Sequence, residues 1–256
     1  AFYRSNGNAR TANLAATWAS SNVSLNYTGA TSQSDNYEAG EAFKTTRETG
    51  RPGHTLDLDE VGSSAWETRN HTLGLAVRNE QHLLHLSFGY QDMPYQLYPN
   101  QRMDLLDNEQ ERVNLRYLGE FGAVAVEARV YRETVDHFMD FGDDKRFWYG
   151  TNSGTGTPCS PIRFHGDPAG TCAAGMPMYT ESETTGALLR ADVTLSPGNL
   201  LRVGSEYQAY ELDDWWPASG GGMGPGTFWN IRDGERDRKA LFGEWESHIG
   251  ADWTTS

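Results

Sequence analysis

The sequence has no long apolar run: no stretch approaches the roughly 18 to 20 consecutive apolar residues that a transmembrane helix needs. Hydrophobic residues make up 37% of the chain and its mean hydropathy is -0.66, which argues against a helical membrane protein. These values do not exclude a membrane protein of another kind. A transmembrane β-barrel faces lipid with only every second residue, and its loops and lumen are polar.

Basic residues are also scarce. The chain has 21 Lys and Arg against 35 Asp and Glu, which gives a formal charge of -14. Phosphate binding needs a basic surface, so this composition argues against nucleic acid as a partner. Acidic loops are an ordinary feature of soluble surfaces, and they also attract cations.

Only two cysteines occur, Cys159 and Cys172, within one loop-like stretch. We expect a single disulfide in an oxidising compartment; soft metal ligation by the two thiols is the less favoured alternative. The chain also lacks a nucleophile elbow, a phosphate-cradling glycine loop and zinc-type His/Cys spacing. Nothing in it supports catalysis, so we predict that the protein is not an enzyme.

Strict alternation of apolar and polar residues is what the sequence does have. The segment from Thr184 to Asp213 shows it best: one side carries Ala187, Leu189, Ala191 and Val193, and Leu188, Arg190 and Asp192 fall on the other. Successive side chains of a strand point to opposite faces, so this pattern predicts strands with one apolar and one charged face. A tight turn over Ser196–Asn199 makes the segment a hairpin.

The same alternation recurs along the chain and predicts nine antiparallel strands. They cover about residues 10–18, 23–37, 68–78, 84–91, 113–117, 124–139, 184–195, 201–213 and 235–248. Short turns and long loops alternate between them, as in an outer-membrane barrel. Single-chain bacterial barrels have even strand numbers, so we expect residues 1–256 to be a fragment of one larger β-barrel domain.

The alternation also predicts which side chains face outward from the barrel. We expect the apolar set to share that face: Leu73, Leu75, Leu84, Leu86, Val124, Val126, Leu189, Val193, Leu201 and Val203. A one-residue slip would exchange both faces of a strand, so register decides this prediction.

Three stretches resemble TonB-dependent outer-membrane receptors: Glu60–Asn70, Asp136–Asp140, and Leu200–Tyr207 with Leu241–Glu246. The resemblance implies part of an all-β, 22-stranded transmembrane barrel that is closed by a plug and imports scarce metals, siderophores or cobalamin. It implies the bacterial outer membrane as location, with outer-membrane lipid and the TonB complex as partners. The plug, the TonB box and the remaining strands of such a receptor are absent from this sequence.

Two further stretches, Arg102–Asp104 and Gly175–Met178, are similar to the copper-receptor branch, in which a strand ending His-x-Met lies beneath a methionine-bearing loop. His137 and Met139 are two apart on one strand and so share a face, the lumenal one by parity with Glu127 and Arg129. Imidazole and thioether form a soft pair that favours Cu⁺. Met176 and Met178 can add a second soft pair. The alternative is that these methionines fill gaps in loop packing.

Aromatic side chains suggest other ligands. Four tryptophans in the loops can form a ligand-binding rim: Trp148, Trp215, Trp216 and Trp229. Such a rim suits a ferric siderophore or an oligosaccharide, although tryptophans beside charges more often form an interfacial girdle. We therefore expect a receptor for a scarce nutrient, with bound copper as the first candidate and no intrinsic cofactor. The alternatives are a siderophore or oligosaccharide receptor, and a secreted soluble β-rich binding or adhesive module.

Overall fold

The computed structural model describes residues 1–49, 54–145, 176–218, 226–249 and 253–255. These residues form thirteen strands and one three-residue 3-10 turn over Asn6–Asn8. The strands are β1 (Phe2–Arg4), β2 (Ala9–Ala19), β3 (Val23–Ser34), β4 (Tyr37–Glu38), β5 (Glu60–Val61), β6 (Trp66–Arg78), β7 (His82–Gln96), β8 (Asp104–Phe121), β9 (Val124–Asp140), β10 (Met178–Ser196), β11 (Asn199–Trp216), β12 (Phe228–Ile249) and β13 (Trp253–Thr255). The helices formed by the described residues include none with the length and apolarity to span a membrane.

Eleven of the strands form one antiparallel sheet in the order β1-β2-β3-β6-β7-β8-β9-β10-β11-β12-β13. Its strand order follows the chain, and β4 and β5 form a separate small hairpin in the connection between β3 and β6. Over the described residues the sheet is open, with β1 and β13 at its edges. The predicted all-β antiparallel class is confirmed, and the nine long strands are the nine that alternation predicts.

Eight of the nine long strands run farther than alternation indicated, whereas β3 ends at Ser34, before the predicted residue 37. β8 has 18 residues, β10 has 19 and β12 has 22, where a typical strand has about five or six. β8 begins at Asp104, before the predicted residue 113, and ends at Phe121, so the turn to β9 falls on residues 122–123. The strand predicted from Glu235 begins at Phe228.

Short turns lie at one end of the sheet and long connections at the other, as predicted. Residues 20–22, 79–81, 122–123 and 197–198 make the short turns. Gly198 has φ +81°, the left-handed conformation that glycine adopts without steric cost, so the β10–β11 turn needs glycine there. We call these two ends the turn end and the loop end.

The pairing register assigns every long strand an outer and an inner face. Leu75 pairs with Leu86, which in turn pairs with Leu115. Val126 pairs with Ala191, which pairs with Val203. All ten side chains that we expected to face outward share this outer face, so that prediction is confirmed. The partners of Arg190 and Arg202 place both arginines on the opposite, inner face.

Charged side chains form cross-strand pairs on the inner face near the turn end. Arg116 binds Glu127 at 2.7 Å, and Arg202 binds Glu244 and Glu246 at 2.9 Å each. These groups are partly exposed, and ion pairs of that kind each contribute only about 0–1 kcal/mol. The inner face is therefore polar without forming a core.

The buried core lies at the loop end. Residues 35–49, 54–65, 97–104 and 140–145 pack together there, and we call them the loop cap. Most of the buried side chains belong to the cap or border it: Ser34, Thr49, Leu56, Ser63, Asp104, Leu105, Phe141 and Lys145. Gly142 is needed here because a Cβ at this position would collide with the carboxylate of Asp104.

Candidate metal-binding site

Three of the four side chains expected to bind a metal lie together on the inner face at the loop end. Met139 on β9 and Met178 on β10 are direct cross-strand partners. His137 lies two residues before Met139 on the same face, and its partner on β10 is Thr180. Directly opposed side chains in an antiparallel pair have Cβ atoms about 4.5–5.5 Å apart. Two thioethers can therefore reach one ion, with the imidazole beside them.

Asn108 fixes the orientation of the His137 ring. It is the β8 partner of His137, and its Oδ1 lies 2.9 Å from His137 Nδ1. A carbonyl oxygen only accepts, so Nδ1 carries the proton and donates this bond. The Nε2 lone pair is then available for a metal, the arrangement in which a neighbouring group sets the tautomer of a ligating histidine. Sequence patterns did not identify Asn108.

Asp214 lies on the same face one strand beyond Thr180. The two are partners in the β10–β11 register, and Thr180 Oγ1 donates to Asp214 Oδ2 at 3.0 Å. The second carboxylate oxygen, Oδ1, is buried and has no hydrogen-bond partner among the described residues. The charge of Asp214 acts electrostatically on His137. The inner face thus holds a carboxylate near the imidazole.

Trp216 follows two residues after Asp214 and shares its face. Its ring packs against Phe228, with the centroids 5.7 Å apart. The indole Nε1 is buried and lacks a hydrogen-bond partner among the residues that the structure describes. A buried N–H group normally has an acceptor, so this donor is an exception.

Arg129 shares the inner face, where its positive charge would oppose a bound cation. It lies eight residues before His137 on β9, a distance of about 26 Å along the strand. Its Nε donates to Asn114 Oδ1 at 2.7 Å, and its guanidinium lies 5.0 Å from the ring centre of Tyr131. Repulsion over this distance is largely screened, and Asp214 is the closer charge.

Met176 is held at the end of β9. Its backbone N–H donates to Asp140 Oδ1 at 2.6 Å, and the same oxygen accepts from Phe141 N at 2.7 Å. Asp140 directly follows Met139, so the carboxylate ties the methionine-bearing segment to the strand that carries His137 and Met139. Met176 is half-buried. The structure thus places Met178 directly in the group and Met176 beside it.

Within the described part of the chain, no group of three or more His, Cys, Asp or Glu side chains can hold a metal ion. A metal at this place therefore needs methionine sulfur in addition to His137. Thioether and imidazole donors suit a soft ion such as Cu⁺, whereas Ca²⁺ and Mg²⁺ take oxygen ligands. The donor set fits copper better than a hard cation.

The loop cap beside this group is organised around Asp144. The carboxylate accepts from Ser63 N and Asn36 Nδ2 at 2.7 Å each, and His54 Nε2 contacts it at 2.7 Å. Burial alone would raise the pKa of Asp144, but these hydrogen bonds outweigh burial and hold the pKa below its ordinary value of 3.8. Asp144 is thus kept ionised and ties three separate cap segments together.

Asp104 and Lys145 form a second buried connection in the cap. Lys145 Nζ lies 3.1 Å from Asp104 Oδ1 and donates to the Gln101 carbonyl at 2.8 Å and to the Tyr98 carbonyl. Asp104 is fully buried and also accepts from Tyr98 N at 2.7 Å. This pair joins the start of β8 to the residues that follow β9.

The expected tryptophan rim is divided between two faces. Trp216 faces inward, whereas Trp215 lies between Tyr179 and Trp229 on the outer face, with ring centroids 5.3 Å away on each side. Trp215 stacks on Tyr179, and its contact with Trp229 is tilted. Phe138 extends this row of aromatic rings, with its centroid 4.5 Å from that of Tyr179. Trp215 and Trp229 therefore do not line the surface that carries His137. Trp148, Cys159 and Cys172 lie outside the described residues.

No family model and no curated protein matches the chain in sequence. Its structure is similar to that of the copper transporter OprC, with a TM-score of 0.64 and 20% identity over 96% of this chain and 33% of that chain. It is also similar to the ferric yersiniabactin uptake receptor FyuA from Yersinia pestis, with a TM-score of 0.58 and 14% identity over 96% of this chain and 36% of that chain.

A third similar structure is the FrpB iron transporter from Neisseria meningitidis, with a TM-score of 0.51 and 16% identity over 81% of this chain and 30% of that chain. The chain spans about a third of the length of these three proteins. The likeness confirms the fold that the sequence resemblance implied.

Proposed function

We propose that this chain is part of the barrel domain of a bacterial outer-membrane receptor that binds a scarce nutrient for TonB-coupled uptake, with copper as the ligand. The observation that carries the proposal is the opposition of Met139 and Met178 beside His137 on the inner face. The remaining strands, the plug and the contact with the TonB complex belong to parts of such a receptor outside this sequence. The role is transport and involves no catalysis.

The outer face supports a position in lipid. Its apolar side chains remain exposed, and among the described residues the only other sheet is the small β4–β5 hairpin, which leaves this face uncovered. Exposed aromatics border the apolar band at the turn end: Trp18, Phe121 and Trp245. Aromatic girdles of this kind flank the apolar band of outer-membrane barrels. A soluble β-rich module would instead cover its apolar face.

Acidic side chains border the same band towards the loop end. Five neighbouring strands contribute one carboxylate each to a single row on the outer face: Asp92, Glu109, Asp136, Glu181 and Asp213. Ionised groups are expensive to bury in hydrocarbon, so this row marks where the lipid-facing surface ends. The His137 group lies at the height of this row and is therefore above the hydrocarbon.

The inner face supports copper as cargo. His137 offers Nε2 because Asn108 holds Nδ1, and two thioethers lie one position further along the face. Thioethers discriminate by softness, so binding favours Cu⁺ over harder ions. Met176, tied by its backbone to the end of β9 through Asp140, offers an additional thioether.

Metal content and Cu⁺ titration of the full-length protein test the proposal. We expect the wild type to bind copper and His137→Ala to bind it much more weakly, because the variant lacks the nitrogen ligand. His85→Ala is the matched control, since His85 shares the inner face but lies toward the turn end. Equal copper binding by the wild type and His137→Ala would contradict the copper assignment and leave the general receptor proposal.

A siderophore or oligosaccharide is the second candidate ligand. The outer row of four aromatic rings and the inward-facing Trp216 provide aromatic surfaces for such molecules. Binding of a ferric siderophore that persists in His137→Ala would favour this candidate.

The Cys159–Cys172 disulfide remains a prediction, which a mobility shift on reducing gels would test.

A further inference from the structure

Two buried polar groups of the inner face lack partners, and they are of opposite kinds. Asp214 Oδ1 is an acceptor and Trp216 Nε1 is a donor, and neither has a hydrogen bond among the described residues. They lie two residues apart on β11, about 7 Å along the strand, and point to the same side of the sheet. A buried polar group without a hydrogen bond is destabilising, so an occupant that satisfies both groups stabilises the site.

A bare metal ion cannot satisfy this pair. A cation can sit beside the Asp214 carboxylate, but an indole N–H has no lone pair to offer a metal. Trp216 needs an acceptor atom and Asp214 needs a donor or a cation, so an occupant that carries a negative or carbonyl oxygen as well as an N–H group or a metal ion matches the pair. A cation together with an organic acid or amino acid meets both demands.

The surroundings place the metal next to this pair. Asp214 lies in the row of His137, two strands away, a Cα separation of about 10 Å. Trp216 is the next inner-face residue on β11, in line with Met178, which opposes Met139. The imidazole and the thioethers thus lie on one side of this part of the inner face, and the two unpartnered groups lie on the other.

We infer that the site takes copper as a chelate with an amino acid. The His137 imidazole displaces one carboxylate oxygen of the chelate from copper and binds copper through Nε2. The amino group of that amino acid remains on copper and donates to Asp214 Oδ1, and its displaced carboxylate oxygen accepts from Trp216 Nε1. The nitrogen and oxygen donors of this arrangement suit Cu²⁺, the state in which copper forms such chelates. This inference rests on the proposed function and names the form of its ligand.

Thr180 and Asn108 position the two sides of this arrangement. Thr180 Oγ1 occupies one oxygen of Asp214 and leaves the other free, and Asn108 occupies Nδ1 of His137 and leaves Nε2 free. The atoms that face the ligand, Asp214 Oδ1 and His137 Nε2, are therefore the ones that Thr180 and Asn108 do not bind. This division of contacts is the arrangement that orients metal ligands in other proteins.

The test uses copper(II) bisglycinate with radiolabelled glycine as the probe and the full-length protein. After gel filtration, we expect the wild type to retain glycine together with copper. In Trp216→Phe and in Asp214→Asn, glycine retention should fall by about tenfold, the effect of one lost charge-assisted hydrogen bond. Copper supplied as Cu⁺ should still bind to Trp216→Phe as it does to the wild type.

Matched controls come from the same strand. Trp215→Phe and Asp213→Asn make identical chemical changes at neighbouring positions whose side chains face outward. We expect both to retain glycine as the wild type does. Asparagine can still accept the Thr180 bond, and phenylalanine can still pack on Phe228, so the two test variants keep the local contacts that maintain the fold.

The outcomes separate this inference from the function on which it rests. Cu⁺ binding without glycine retention in the wild type, or undiminished glycine retention in Trp216→Phe, overturns the chelate and leaves the copper receptor intact. Failure of the wild type to bind either Cu⁺ or the chelate overturns both. Loss of glycine in both test variants, with retention in both controls, supports the chelate.

Discussion

The loop cap and the strand wall, which comprises the nine long strands, are stabilised in different ways. The cap has buried apolar and polar side chains, with Phe141 and Asp104 at 0% exposure. The wall is one layer with exposed apolar side chains on one face and solvated ion pairs on the other. A single layer buries little surface by itself. The wall therefore depends on its surroundings, whereas the cap resembles a small soluble core.

The comparison has a consequence for mutation. In the cap, a substitution should cost what it costs in a soluble protein, through lost partners of buried groups. In the wall, the cost should depend on which face is changed and on whether lipid covers that face. Three predictions separate these two behaviours.

The largest effect is expected in the cap, at the Asp104–Lys145 pair. Asp104→Ala leaves the Lys145 ammonium buried without its counter-charge and should destabilise the cap by about 3–5 kcal/mol. Hydrogen exchange of the cap amides in the full-length protein measures this as a lower opening free energy. The double variant Asp104→Asn/Lys145→Met removes both charges, so its opening free energy should fall less than that of Asp104→Ala. An equal or larger loss in the double variant would contradict the role assigned to the ion pair.

In the wall, the outer face should be more sensitive to charge than the inner face. Leu189→Arg places a cation on the apolar band and should cost about 2–4 kcal/mol at the bilayer midplane. Leu188→Arg is the matched control, because its neighbours on the inner face include Glu206 and Arg129. Denaturant unfolding of both variants in lipid vesicles measures the difference. Similar losses at the two positions would argue against lipid on the outer face.

The smallest effect is expected from acidification of the cap. The hydrogen bonds to Asp144 lower its pKa below 3.8, so its ionised form stabilises the folded cap. This contribution is complete above the unfolded pKa and is lost as the pH falls below 3.8 and through the lower folded pKa. Hydrogen exchange at decreasing pH should show that Ser63 N loses protection. In Asp144→Asn, the same amide should lose this pH dependence.

In the half of each strand nearer the turn end, the strand and its outward face could be predicted from the sequence, because only one face is apolar there. Leu84, Leu86 and Leu115 alternate with polar residues, so both strand and face follow from the pattern. The half nearer the loop end mixes polar and apolar residues on both faces. The starts of β8 and β12 therefore lacked alternation and were expected to be loops, although their backbones continue the ladder.

The candidate site was predictable only where strand parity applied. His137 and Met139 share a face because they are two residues apart on one strand, and this follows without knowledge of how that strand pairs with its neighbours. Their approach to Met178 depends on the pairing of β9 with β10, which no local pattern specifies. Asp214 and Trp216 could have been found by continuing the parity of Glu206 and Gln208 along β11. Treating Trp215 and Trp216 as one rim obscured their opposite faces.

Strand order that follows the chain also bears on how the sheet forms. In the main sheet, the partners of each long strand are the strands of that sheet that come immediately before and after it along the chain. Four hairpins close over turns of two or three residues, and closing a short loop costs less entropy than closing a long one. The hairpins should therefore form early, each as a unit. The longer connections then have only to bring finished hairpins side by side, so the sheet can grow two strands at a time.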